Sequence, residues 1–216
     1  IGSYSGAILG KMMNGLPGLF AGMAVGVLIS VVIAFLVGLP TLRLKGDYLA
    51  IATLGVAEII RVAVTNMKIT NGAAGISGVP LTNTWTITYI ALVVTTILIL
   101  NYTFSSAGRA TYAVLQDEIA AESMGVQVTK YKILAFVLGA ATASIGGTLS
   151  ATTLGAVTPS DFTFMKSIDV LIIVVFGGIG SFTGSFVAAV LLGIINLVLQ
   201  PFGQLRMIIY AVALIL

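Results

Sequence analysis

Residues 105–132 read SSAGRATYAVLQDEIAAESMGVQVTKYK, and their reading decides how the rest of the chain is understood. They carry Arg109, Asp117, Glu118, Glu122, Lys130 and Lys132, and long runs apolar enough for lipid flank them on both sides. Their composition favours helix, and Gly125 stands where a helix can end in a left-handed cap. From Arg109 to Met124 the small or apolar positions Ala110, Ala113, Val114, Ala120, Ala121 and Met124 form a rough helical stripe. Tyr112, Gln116, Asp117, Glu118 and Glu122 occupy the other face. A polar helix held between two lipid-compatible runs is expected to present that face to something in water.

Outward from this insert, apolar residues dominate. The 216 residues are 58% hydrophobic and 8% charged, with a mean hydropathy of +1.14. A soluble domain carries roughly 25% charged residues, so a soluble fold could not cover its surface here. The composition predicts an all-α protein, a polytopic transmembrane helix bundle. A net charge of +3 gives no case for nucleic acid. With 0 Cys and 0 His, disulfides, thiolate chemistry and the common zinc sites are excluded. No carboxylates have metal-ligand spacing, no Ser–base or paired-Asp constellation stands out, and no signal peptide is recognisable. The abrupt ends, IGSYSG and AVALIL, predict a fragment truncated at both termini.

A spanning helix needs about 20 mostly apolar residues. On that scale a single transmembrane domain over residues 1–216 divides into spans at about 18–39, 48–65, 85–104, 133–153, 167–181, 184–200 and 206–216, with residues 105–132 as the polar insert. IGSYSGAIL is expected to close an earlier helix, with a turn near Asn14, Gly15, Leu16 and Pro17. Between Ile168 and Leu199 the glycine-rich GGIGSFTG (Gly177, Gly178, Gly180 and Gly184) is either a break at membrane depth or a helix extended through Ser181 and then a turn. The extended helix is the expectation adopted above, and the glycines are a possible hinge. Basic residues do not orient the chain. Arg43, Lys45, Arg109, Lys130 and Lys132 fall on one side, and Lys11, Lys68, Lys166 and Arg206 on the other.

Small residues recur four apart at Gly18, Gly22 and Gly26, at Gly139, Ala143 and Gly147, and at Ala189 and Gly193, which predicts close helix packing. Glu58 and Arg61 lie inside the second span on one helical face. They are candidates for a pathway or gate, or for a structural ion pair. Asp47 is expected to cap the start of that helix, and Asp161 and Asp169 to serve as interface and helix-start residues. Asn71 to Pro80 forms either a docking loop or a flexible connection.

Three ordered segments carry a family resemblance: LRLKGDYLAIATLGVAEIIRVAVTN with ITNGAAGISGVP; GRATYAVLQDEIAAESMGVQVTKYKILAFVLGAATASIGGTL; and TPSDFTFMKSID running into VVFGGIGSFTGSFVAAVLL. In this order and spacing the chain resembles the LivM-type permeases of high-affinity branched-chain amino acid ABC transporters, the binding-protein-dependent inner membrane components. The resemblance implies a multi-pass subunit of a bacterial or archaeal cytoplasmic (inner) membrane importer for leucine, isoleucine and valine. It implies a heterodimer with a LivH-type permease, two cytoplasmic ATPase subunits and a periplasmic or extracytoplasmic amino-acid-binding protein. The chain itself would be no enzyme and hold no cofactor, with ATP and Mg bound by the ATPases; it has no G-x-x-x-x-G-K-[ST] phosphate loop.

On this resemblance the insert is the ATPase-coupling element, with Arg109, Gln116, Asp117, Glu118, Glu122 and Gly125 as its residues. The pattern departs from many ABC importers in one respect. Where they carry Glu-Ala-Ala, three residues and Gly, this chain has Ile119, Ala120, Ala121 and Gly125. Other readings stand beside this one. A urea or short-chain amide ABC permease would look alike. An ion-coupled secondary transporter would use Glu58. An interfacial amphipathic helix that touches only lipid would leave the insert without a partner.

Overall fold

In lipid the backbone must bond within its own segment, so long apolar runs have helix as their outcome. The computed structural model describes residues 1–13, 15–44 and 46–199. Asn14, Lys45, the turn at 200–204, the expected span 206–216 and Arg206 lie outside the described residues. The described residues fall into two compact units, one from Ile1 to Ser160 and one that begins at Asp161.

In the first unit, α1 (Gly2–Met12) and α2 (Leu16–Thr41) are joined at Gly15, whose φ of 92° only glycine adopts freely. Then come α3 (Asp47–Asn66), α4 (Trp85–Phe104), α5 (Ser106–Gln116), α6 (Glu118–Ser123) and α7 (Val128–Leu154). Helices α2, α4 and α7, with residues 48–66 of α3, are long and apolar enough to cross a membrane. Gly46 takes the cap position of α3; the side chain of Asp47, expected to cap this helix, lies outside what is described.

The core of this unit is the crossing of α1, α2 and α7. A Cβ on Gly22 would lie 2.8 Å from Gly6 Cα, and one on Gly26 would lie 3.0 Å from Ser144 Oγ and 3.3 Å from Gly2 Cα. Two buried hydroxyls here bond to backbone, while Ser144 Oγ has no partner among the described residues. Ser5 Oγ donates to Gly2 O at 2.8 Å, and Thr148 Oγ1 reaches Gly2 O at 2.9 Å. The α7 stripe is used only in part. Gly147 meets Ser3, whereas Gly139 has open space around it. Helices α3 and α4 touch this core lightly, and Ile51, Ile59, Tyr89 and Leu98 remain exposed on them.

At the end of the bundle opposite α5 and α6, residues 67–84 are tied down. β1 (Ile76–Ser77) pairs antiparallel with β2 (Ala156–Val157), and Val79 N donates to Gly155 O at 2.9 Å. Ile76, Val79 and Val157 are buried with Tyr4, Ala7 and Ala151. The Asn71 to Pro80 segment is therefore an ordered cap, not a loose connection.

In the second unit, α8 (Phe164–Phe176) and α9 (Phe182–Leu199) meet at a corner. The expectation of a helix running through Ser181 is corrected, since α8 stops at Phe176. Its 13 residues measure about 20 Å, short of the roughly 30 Å hydrocarbon thickness. The corner is held by Gly178 N to Val175 O at 3.1 Å and Ser181 N to Gly178 O at 3.0 Å. Ser181 Oγ accepts from Gly184 N at 3.1 Å, which caps the start of α9. Gly178 and Gly180 both have φ of 89°, and a Cβ on Gly184 would collide with Gly177 O.

Candidate functional site

The insert folds as two short helices, correcting the single helix expected from Arg109 to Met124. The chain leaves α4 at Ser105, whose Oγ donates to Tyr102 O at 2.6 Å and accepts from Gly108 N at 3.1 Å. Tyr102 OH and Thr111 Oγ1 share a hydrogen bond of 2.6 Å across the bend. Arg109 bonds back to Phe104 O at 3.0 Å, so a cation meets the carboxyl end of α4.

The break falls at Asp117. Its φ of −156° and ψ of 114° are extended, and Oδ1 accepts from Ile119 N at 2.8 Å and Ala120 N at 3.1 Å. The aspartate is thus the N-cap of α6. The far end of α6 closes in a Schellman motif. Gly125 N donates to Glu122 O at 2.9 Å and Val126 N to Ala121 O at 3.0 Å, with Gly125 at φ 81°. The expectation that Gly125 ends the helix holds. Gly125→Ala is expected to cost about 1 kcal/mol locally, because the position is left-handed. Amide exchange over residues 118–128 should accelerate roughly fivefold, and unchanged exchange would show that the cap does not hold α6.

Glu118 reaches back to Lys132 on α7, with Nζ to Oε1 at 2.5 Å. Val114 and Ala121 are the buried residues that seat α5 and α6. Of the expected apolar stripe, Ala113, Ala120 and Met124 are exposed.

Of the six residues assigned to coupling, four serve the insert's own architecture. Arg109 caps α4, Asp117 caps α6, Glu118 pairs with Lys132, and Gly125 makes the turn. Gln116 and Glu122 are exposed, with no side-chain hydrogen bond among the described residues. The outward surface carries a further set, of which sequence reasoning placed Tyr112 on this face, put Met124 on the apolar stripe, and missed Leu115 and Ile119. Tyr112, Leu115, Ile119 and Met124 are exposed large hydrophobics, with Ile119 at 77% and Met124 at 84%. Tyr112, Leu115 and Ile119 stand at i, i+3 and i+7, the spacing of one helical face. Beside α6 lies a groove of about 800 Å³. Phe35 of α2 and Ile133 and Val137 of α7 line it, together with Glu122 and Lys130.

Glu58 and Arg61 form an ion pair on α3. Arg61 Nε donates to Glu58 Oε2 at 2.9 Å, and its terminal nitrogen also bonds the carboxylate. The Glu58 side chain is exposed and that of Arg61 is part-exposed. Among the described residues no cluster of three or more His, Cys, Asp or Glu could hold a metal.

A family profile described as "Branched-chain amino acid transport system / permease component" matches residues 1–216. The chain is 35% identical over 96% of its length to the high-affinity branched-chain amino acid transport system permease protein LivM of Salmonella typhimurium, and 34% identical to LivM of Escherichia coli K12. It spans 57% of the length of each. The permease protein LivH of Escherichia coli K12 is 34% identical over 51% of the chain and 34% of its own length. No solved structure gives a significant match.

Proposed function

The chain belongs to the family of branched-chain amino acid transport system permease components, and from that premise we propose that it forms part of the membrane pathway of an ATP-driven importer for leucine, isoleucine and valine. Its partners on this reading are a LivH-type permease, two ATPase subunits on the cytoplasmic side and an extracytoplasmic binding protein. The membrane is the cytoplasmic (inner) membrane of a bacterium or archaeon. ATP and Mg belong to the ATPases, and this subunit is a permease without catalytic chemistry.

The observation that carries the reading is the build of the insert. A capped two-helix element is fastened to α4 and α7 and displays Tyr112, Leu115, Ile119 and Met124 beside Gln116 and Glu122. Exposed apolar anchors with a polar rim suit a protein partner, where the anchors supply affinity and the charges set register. A helix resting on lipid would be expected to carry Lys or Arg on its polar face, and this face is acidic. On the same reading α8 and α9 tilt about the Gly177–Gly184 corner during transport. The Glu58–Arg61 pair neutralises two charges on a lipid-length helix, and it takes part in gating only if substrate passage opens it.

The test is co-purification of the full-length permease with its ATPases. Ile119→Asp is expected to abolish the complex, since a charge replaces an anchor. Glu122→Lys is expected to weaken it and make it more salt-sensitive. Full retention of the ATPases in both variants would move the contact elsewhere.

A further inference from the structure

Glu122 and Lys130 are opposite charges on the walls of one groove, the 800 Å³ groove beside α6. Glu122 lies in the last turn of α6 and Lys130 in the first turn of α7, and the connecting residues Gly125, Val126 and Gln127 line the groove between them. Both side chains are exposed. The other charges of these two helices, Glu118 and Lys132, are paired with each other. Glu122 and Lys130 are left over, and neither joins an ion pair among the described residues. Lys130 has only an aromatic neighbour, with Nζ 6.0 Å from the centre of the Tyr131 ring.

Away from this charged rim the groove becomes hydrocarbon, formed by Phe35 of α2 and by Ile133, Leu134 and Val137 of α7. The α7 residues lie about 5 to 10 Å further along the axis than Lys130, at 1.5 Å per residue. With 27 residues, α7 measures about 40 Å, against roughly 30 Å for the hydrocarbon core of a bilayer. It overreaches that core even at the usual tilt of about 20°. Lys130 and Lys132 mark the end that leaves the hydrocarbon, because charged side chains are costly at depth. The groove therefore runs from the headgroup level at Lys130 into the acyl-chain level at Val137. Tyr112, Leu115, Ile119 and Met124 are not among its walls, so it meets the displayed apolar surface only at Glu122.

We propose that this groove binds a membrane phospholipid with a phosphoethanolamine headgroup. The Lys130 ammonium takes the phosphate, the Glu122 carboxylate takes the primary ammonium, and an acyl chain lies along Phe35, Ile133 and Val137. Charge complementarity selects this occupant. An anionic headgroup would satisfy Lys130 and be repelled by Glu122. A phosphocholine headgroup matches both signs, but its quaternary ammonium has no N–H to donate, and a charge-assisted hydrogen bond to the carboxylate is lost. The walls come from α2, α6 and α7, so the lipid ties the insert to the spanning helices beside the Glu118–Lys132 pair. The site needs only that the chain spans a bilayer, and it is independent of what the transporter carries.

The experiment uses the full-length permease in its complete transporter, exchanged into equal parts of dioleoyl phosphatidylethanolamine, phosphatidylcholine and phosphatidylglycerol. Excess lipid is washed away and the retained lipid is counted by mass spectrometry. Wild type is expected to keep phosphatidylethanolamine at least threefold over either competitor. Glu122→Gln removes the repulsion of anions and should move the preference to phosphatidylglycerol, at least threefold. Lys130→Gln should abolish the preference for phosphatidylethanolamine. Both residues are exposed and outside any ion pair, so the bundle tolerates these changes, and either variant decides alone where the other fails to assemble. Equal retention of the three lipids by wild type, or a preference that neither substitution alters, overturns the site. Enrichment seen only after the ATPases are stripped off assigns the groove to an ATPase and overturns it as well. A transporter that shows the expected lipid shifts yet imports no leucine upholds this site and overturns only the importer reading.

Discussion

Reversing Glu118 to lysine is expected to reduce substrate uptake about tenfold in the assembled transporter, and adding Lys132→Glu is expected to restore most of it. The expectation follows from where the pair sits. Glu118 is the first residue of α6, and Lys132 belongs to the opening turns of α7, so the contact joins the displayed element to a spanning helix. Both side chains are part-exposed, 23% for Lys132 and 40% for Glu118, so the pair adds at most about 1 kcal/mol to stability. Losing it should not unfold the bundle. A second lysine facing Lys132 pushes α6 off its seat, and under the function proposed above displacement by partner ATPases would then no longer reach α7. A tenfold loss corresponds to about 1.4 kcal/mol of lost coupling, within reach of a like-charge contact. Uptake, ATP turnover and complex yield measured side by side separate the cases. Coupling through the pair predicts normal yield, ATP turnover retained and uptake lost in Glu118→Lys, with rescue in the double variant. Loss without rescue would mean that Glu118 contacts the partner directly. This separates Glu118 from Glu122, two residues on one turn of sequence whose reversals should fail in different ways.

The second large effect concerns the glycines of α2. Gly22→Ala and Gly26→Ala are each expected to lower the stability of the folded permease by about 1–3 kcal/mol, the usual cost of overpacking. Each new methyl would meet backbone or buried hydroxyls, Gly6 Cα for Gly22 and the Ser5 and Ser144 Oγ atoms for Gly26. In lipid no hydrophobic force holds helices together, so close backbone packing carries the association. Separating α1 from α2 also strips the Ser5 hydroxyl of its bond to Gly22 O at 3.1 Å. Gly139→Ala is the contrasting case. Its Cβ has open space, and the helix gains up to about 1 kcal/mol from alanine's higher propensity. Monodisperse yield after graded heating of the full-length protein should therefore fall for Gly22 and Gly26 and hold or rise for Gly139. Equal losses at all three would show that another helix packs along Gly139.

How much of this was legible in advance varies from residue to residue. Gly22 and Gly139 sit in equally good four-residue stripes, yet only one is a contact. Spacing records that a helix has a narrow face, and what lies opposite depends on the crossing of three helices. Asp117 was read as one more acid on a polar face. Its signal was the N-cap pattern of an aspartate followed by Glu118-Ile-Ala-Ala, hidden because helix propensity runs unbroken through it. Asn83 gave no local signal, since its partners Leu149 and Thr153 lie 66 and 70 positions away. Gly177 to Ser181 was legible as a weak point. Whether α8 continued through it depended on the contact between Gly177 and the start of α9, which no run of residues specifies.

The sequence alone determined that the chain is helical and lipid-compatible, that one polar segment interrupts the apolar runs, and which family it resembles. Those follow from composition, period and motif order, which act over a single turn or a single span. The tertiary structure decided which glycines are contacts, which charges are spent inside the insert, which apolar side chains it leaves exposed, and which polar side chains meet between helices. These depend on distances between residues far apart in the chain, and only packing sets such distances.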